Sequence, residues 1–319
     1  MTSLFANRIQ DALSHFQSMG RSGYSHACYL RNFDRYCTEH YPKESCLTKE
    51  LVWDWVYSPL HRNANAVAPR IAAVRLLGRY LVATGEDAYI FPDSMVDTKH
   101  RLSPHVFTDD ELCRFFAAAD AFPKCPQYPL QHRIVPVVFR LIYTCGLRPN
   151  EGRELKRVNI NLNTGEVLIT DTKNQKERLI VMSNDMLSLC RKYVGHLDMG
   201  FPVSTEYFFP SQDGDCYNNR HFNKLFKQCW HQANPDIPTA DLPYVRIYDL
   251  RHRFASAILN RWVDEKRDLY AMLPYLRTYM GHADMLATEY YIHLLPENLM
   301  KSTGINWDSL ENIIPEVSV

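Results

Sequence analysis

The 319-residue sequence carries no net charge, because 36 Lys and Arg balance 36 Asp and Glu. It has neither a polybasic tail nor an acidic solvating segment, so any nucleic-acid surface must be local. No run approaches the ~18 to 20 uninterrupted apolar residues that a bilayer span needs. The opening MTSLFANRIQDALSHF is amphipathic and polar, without a signal-peptide core. The expectation is a cytoplasmic chain, nucleoid-associated if it binds DNA, with no membrane partner. The motifs CxxC and HExxH are missing too. Nine cysteines, an odd number in a chain long enough to bury its own core, read as reduced thiols rather than a disulfide framework. Cys216, His221, Cys229 and His231 come nearest to a metal cluster, but their spacing fits no zinc finger, and no metal is expected. Internal repeats and low-complexity tracts are absent.

What the chain does have is helical periodicity. Leu4, Ile9, Leu13 and Phe16, then Tyr29, Phe33 and Tyr36, then Leu51, Trp53 and Val56, then Val67, Ile71, Val74, Leu77 and Leu81 recur at three- and four-residue spacings. They predict four helices in a first domain, residues 1–90. FPDSMVDTKHRLSP has proline at both ends and no apolar period, which predicts an extended linker over 91–106. Thr108 with Glu111 three residues on is a capping-box signal that opens a second domain, 107–295. Val135–Tyr143 reads as an apolar helix. Val158–Ile160, Glu166–Ile169 and Arg178–Met182 read as short alternating strands of a small antiparallel sheet. Helices are expected again at about 184–194, 218–233, 249–262, 268–280 and 284–293. The predicted class is mainly α with a small antiparallel β-sheet (α+β).

Four segments of the second domain carry side chains suited to chemistry. In TCGLRPNEGREL, Arg148 stands at a helix start with Glu151 three residues on, which offers a fixed fork for phosphate oxygens, or an ordinary surface ion pair. In DTKNQKERLIVM, Lys173 and Lys176 sit at a hairpin turn, as mobile donors or as a solvated basic tip. YDLRHRFASAIL places Arg251 and His252 near the start of a helix, with Tyr248 three residues before Arg251. YMGHADMLATEYYIHL sets His282 after Gly281 and follows with Tyr290, Tyr291 and His293. Each of these, alone, also fits caps or packing.

Taken in order, the GLRxxE box at Gly146–Glu151, the KxxKER hairpin at Lys173–Arg178, the DLRH box at Asp249–His252, the MGH box at Met280–His282 and the YxH ending at Tyr291–His293 resemble the tyrosine recombinases, the lambda-integrase-like enzymes that break and rejoin DNA. The resemblance runs from end to end. It implies a helical core-binding domain followed by a catalytic domain, the two closing on double-stranded DNA as halves of a clamp. It implies that Arg148 and Arg251 clamp the scissile phosphate, Lys173 protonates the leaving oxygen, His282 hydrogen-bonds the phosphate, and Tyr291 attacks to give a 3′-phosphotyrosine. Cationic forks placed where negative charge grows suit that reaction, and it needs neither ATP nor a metal cofactor.

Tyr291 is preferred over Tyr290 because the family's nucleophile is followed after one residue by His, here His293. Neighbours on a helix point about 100° apart, so only one of the two can face the phosphate. The chain departs from the family at Tyr248, where a His is usual. A phenol donates a hydrogen bond but is no proton relay near neutral pH. That departure, and the long stretch between Arg251 and His282, favour a mobile-element integrase over a chromosome-dimer resolvase. A catalytically impaired DNA-binding regulator with the same fold is the alternative.

In the first domain, HRNANAVAPR puts Arg62, Asn65 and Arg70 at a helix entrance, as DNA-contacting candidates or as a solvated face. The tail 296–319 carries Leu299, Trp307, Leu310, Ile313 and Ile314, enough for one amphipathic helix. In the family such a helix docks on a neighbouring protomer. The expected assembly is therefore a homotetramer on two DNA recombination sites, with a monomer in solution as the free form.

Overall fold

The computed structural model describes residues 1–20, 24–58, 67–92, 104–170, 177–200, 205–282, 284–289 and 291. Arg62, Asn65, Lys173, Lys176, Tyr290, His293, most of the expected linker and the whole tail lie outside the described residues. The chain divides into two compact units, Met1–Leu102 and Ser103–Val319.

The first unit holds α1 (Ala6–Ser18), α2 (Tyr24–His40), α3 (Lys49–Tyr57) and α4 (Val67–Ala83). Of the apolar positions at helical spacing, Ile9, Leu13, Phe33, Leu51, Val56, Ile71, Val74, Leu77 and Leu81 are buried, whereas Leu4 stays exposed. Phe5, Phe33 and Trp55 form its centre, Phe33 meeting Trp55 edge-on at 5.2 Å. Each such ring pair adds about 0.5–1.5 kcal/mol beyond its area burial. Buried Asp34 accepts the backbone N–H of Thr2 and Ser3 and the Ser3 hydroxyl, which fastens the N-terminus to α2. Phe91 lies at the start of the expected linker, yet it is buried in this core. Arg75 holds the chain there by donating to the Phe91 and Pro92 carbonyls at 2.8 and 2.9 Å.

The second unit holds α5 (Asp109–Asp120), α6 (Gln131–Thr144), α7 (Pro149–Arg153), β1 (Glu166–Ile169), β2 (Arg178–Val181), α8 (Asn184–Gly200), α9 (Asn219–Gln232), α10 (Ile247–Asp264), α11 (Leu269–Met280) and α12 (Leu286–Glu289). The capping box at Thr108 forms: its hydroxyl accepts from Glu111 N at 3.2 Å, and Glu111 accepts from Thr108 N at 2.8 Å. Apolar α6 runs through the middle, packed by α5, α8 and α10. The sheet is one antiparallel pair with Glu166 opposite Val181 and Ile169 opposite Arg178. Val158 does not begin a third strand. Arg157–Asn159 is a 3-10 turn with Val158 87% exposed, and only Ile160 bridges to Val167. Arg157 N donates instead to Glu206 O, and that competing partner draws the segment away from the sheet.

Two glycines end the helices that frame the site. Gly146 (φ 59°) closes α6 and Gly281 (φ 64°) closes α11, both in the left-handed region where a side chain is strained. Beside Gly146 an added Cβ would also stand 2.5 Å from the Phe254 ring. Gly146→Ala is expected to lose about 1–3 kcal/mol of stability, read by urea unfolding; an unchanged midpoint would contradict this assignment.

Candidate active site

The C-terminal turns of α6 and α11 leave carbonyls without helical partners. Arg251, just past the first turn of α10, is 0% exposed and takes two of them, donating from Nη1 to Gly146 O and from Nη2 to Met280 O at 2.6 Å. Arg148, the N-cap of α7, donates from Nη2 to Gly281 O at 2.6 Å. The negative ends of two helices thus hold two guanidiniums in place. The loops that follow Gly146 and Gly281 carry Arg148 and His282 into one site.

Glu151 ties this site together. It accepts from Arg148 N at 2.8 Å and Arg148 Nη1 at 2.6 Å, and receives a two-pronged bond from Arg178 at 2.9 and 2.6 Å. Arg251 Nη1 stands 4.0 Å away. Burial pushes the Glu151 carboxyl up, but the hydrogen bonds and charge of Arg178 and Arg148 outweigh it and bring the group down to about 2. Three guanidiniums face one carboxylate, so the site is cationic.

His282 is held by both ring nitrogens. Arg251 Nη2 lies 3.0 Å from its Nε2, and Thr288 Oγ1 lies 2.8 Å from its Nδ1. Burial, then the charges of Arg251, Arg148 and Arg178, hold its pKa down at about 3, so the ring is neutral. A guanidinium can only donate, so Nε2 accepts and the proton sits on Nδ1.

Tyr291 is 2% exposed, with its ring nearly parallel to His282 at 5.8 Å and tilted against His252 at 5.3 Å. Burial raises its phenol to about 12, while the charge of Arg251 and a side-chain hydrogen bond with it work the other way. Tyr291 occupies a turn, its N–H donating to Thr288 O at 3.0 Å, and so stands outside the helix expected over 284–293, of which α12 is the helical part among the described residues.

Tyr248 sits half-buried on the first turn of α10, its ring edge-on to His252 at 4.9 Å. It is close enough to Arg251 and Tyr291 to raise the pKa of each. Burial, with Arg246 and Arg251 nearby, lowers His252 to about 4. Arg148 and Tyr248 line a cleft of about 860 Å³ together with Asn159, Asn219, Asn223 and Arg246. Arg251, His282 and Tyr291 do not line it.

The structure therefore brings together Arg148, Tyr248, Arg251, His282 and Tyr291. Two contributors have no role in the sequence reading. Arg178 belongs to the KER run but shows its function only through Glu151, and Thr288 has no local signal. Arg70 needs a correction as a DNA-contacting candidate. It is 4% exposed and donates to Val56 O at 2.8 Å, satisfying one of the last carbonyls of α3 rather than presenting a guanidinium to solvent. Among the described residues, no helix is long and apolar enough to cross a membrane.

The comparisons with known proteins point the same way. A protein of Sinorhizobium fredii named as an integrase/recombinase, y4rB, is 28% identical over 262 residues, covering 80% of this chain and 82% of its own. Tyrosine recombinase XerD of Rickettsia conorii is 26% identical over 289 residues, covering 86% and 88%. Among solved structures, the XerH site-specific recombinase bound to palindromic difH substrate superposes with a TM-score of 0.63 at 18% identity, covering 89% of this chain and 79% of its own. A lambda integrase tetramer bound to a Holliday junction gives 0.60 at 13%, covering 90% and 76%. These likenesses show the fold. The sequence model of the phage integrase family matches residues 105–298, which is more than half of the chain. The chain belongs to the phage integrase family, the tyrosine recombinases.

Proposed function

We propose that this protein is an active site-specific recombinase that cleaves and rejoins double-stranded DNA through Tyr291. One observation carries this reading: the buried Tyr291 phenol has a side-chain hydrogen bond with Arg251 and the charge of Arg148 nearby, and its ring lies nearly parallel to that of His282. In the proposed step the Tyr291 oxygen bonds to phosphorus and gives up its proton to water, and the bond from phosphorus to the 5′ oxygen breaks. Lys173, which lies in sequence between β1 and β2, protonates that leaving oxygen. Arg148 and Arg251 neutralise the nonbridging oxygens as charge accumulates there, each donor being worth about 2.7–4 kcal/mol in comparable sites. The phosphotyrosine conserves the bond for rejoining. The partners proposed are duplex recombination sites, bridged by a homotetramer, in the context of a mobile element. Solved relatives described as a tetramer on a Holliday junction and as a difH complex support the DNA part of this reading.

The test uses a library of nicked duplexes with randomised cores, incubated with the full chain in EDTA. The expected product is a protein–DNA adduct that survives SDS. Arg251→Lys keeps a charge but cannot span the carbonyls and a phosphate, and should slow adduct formation about 10²–10³-fold. A rate equal to wild type would remove Arg251 from the reaction. The second reading, a DNA-binding regulator that has lost strand exchange, is favoured by Tyr248 and by the deep burial of Tyr291. Retained DNA binding with no adduct from any library member would select it.

A further inference from the structure

Thr288 has no part in the reaction just described, yet it is 0% exposed and sits between two groups that do. Its hydroxyl meets His282 Nδ1 at 2.8 Å, and its carbonyl accepts the Tyr291 N–H at 3.0 Å. The single turn of α12 that carries it is capped by Asp284, which accepts from Ala287 N at 2.9 Å. The position of Thr288 is therefore set by the backbone on both sides.

We propose that Thr288 is a positioning residue whose hydroxyl partners Nδ1 of His282 in both tautomers, so that the ring, held in place, can accept from Arg251 and then donate to a phosphate. A hydroxyl can do either, because it carries one donor and two lone pairs. In the closed site Arg251 Nη2 donates to Nε2, so Nδ1–H donates to Thr288 Oγ1. A bound phosphate draws the Arg251 N–H to itself. Nε2 must then carry a proton if it is to donate to the same phosphate, and Thr288 turns its O–H toward the bare Nδ1. One proton leaves Nδ1 for water and one arrives at Nε2 from water, so the imidazole stays neutral throughout. The groups facing the ring from other elements are Arg148, Arg178, Arg251 and Tyr291, with Asp284 on its own loop. At Nδ1 the hydrogen-bond partner is Thr288 Oγ1.

The role rests on the recombinase reading, but the principal test does not. Full-length protein labelled with 15N at histidine reports the tautomer through ring-nitrogen chemical shifts, with His282 assigned by its loss in His282→Gln. Wild type at neutral pH should show a protonated Nδ1 and a bare Nε2, and inorganic phosphate should move the proton to Nε2. Thr288→Ser should behave like wild type. Thr288→Val, of similar volume, takes the partner away from Nδ1 and should move the Nδ1 shift from its wild-type value both with and without phosphate. If Thr288→Val is stably folded and keeps the wild-type ring-nitrogen shifts in both conditions, the proposal is overturned. The nicked-duplex assay adds a second readout: Thr288→Val should slow adduct formation about 10-fold or more with DNA affinity unchanged, and Thr288→Ser should restore it. Absence of any adduct from the wild type would count against the recombinase reading alone, since the tautomer shifts still decide the role of Thr288.

Discussion

Tyr291→Phe is expected to abolish the SDS-resistant adduct while leaving DNA binding intact. Deleting the oxygen of a covalent nucleophile removes activity on the order of 10⁶-fold, beyond detection in a trapping assay. The fold should tolerate the change, because Phe keeps the ring that packs between His252 and His282 and loses one buried hydroxyl. The loss would therefore be chemical and not structural, and circular dichroism with a thermal melt separates the two. Tyr290→Phe provides the comparison. It should still form the adduct, because the ring beside Arg251 is that of Tyr291. An adduct that persists in Tyr291→Phe and vanishes in Tyr290→Phe would reverse the assignment. The high phenol pKa, about 12, also carries a consequence. Between pH 6 and 9 almost no free phenolate exists, so adduct formation should show no step from Tyr291 ionisation in that range.

The second large effect concerns stability. Glu151→Gln removes the one negative charge among Arg148, Arg178 and Arg251, leaving Arg251 fully buried and Arg178 nearly so. Breaking a buried pair from one side costs about 3–5 kcal/mol, and urea unfolding should register a loss of that size. The pH dependence has a defined sign. The folded pKa, about 2, lies below the unfolded value, so the carboxylate's contribution is complete above the unfolded range near 4.3. It is lost as pH falls from there toward about 2. Wild-type stability should drop across this window more steeply than that of Glu151→Gln. Parallel profiles would mean that Glu151 is not the coupled group.

Helix order and the capping box at Thr108 were legible because three- and four-residue periodicity is a local signal. Val158–Ile160 was not, because alternation over three residues cannot reveal that Arg157 N is drawn to Glu206 O, a residue distant in sequence. The last helix was overextended for a related reason. Tyr291 reads as helical by spacing, but burial against His282 and His252 places it in a turn. In the site, Arg148, Arg251, His282 and Tyr291 could be named from motif order. The pieces that hold them could not. Arg178 acts through Glu151, and Thr288 acts through His282 Nδ1, contacts that exist only once α7, α10, α11 and the hairpin have packed. Arg70 shows the same limit in the other direction. A basic residue in the polar segment before α4 reads as exposed until the end of α3 supplies the Val56 carbonyl that claims it.

The central claim is that a phosphorus–oxygen bond forms at one side chain, and mass spectrometry of the trapped complex tests it most directly. The wild-type adduct, digested with nuclease and then protease, should yield a peptide whose added nucleotide mass fragments to the Tyr291 residue. Nucleotide mapped to any other residue, or recovered only as non-covalent DNA, would contradict the account.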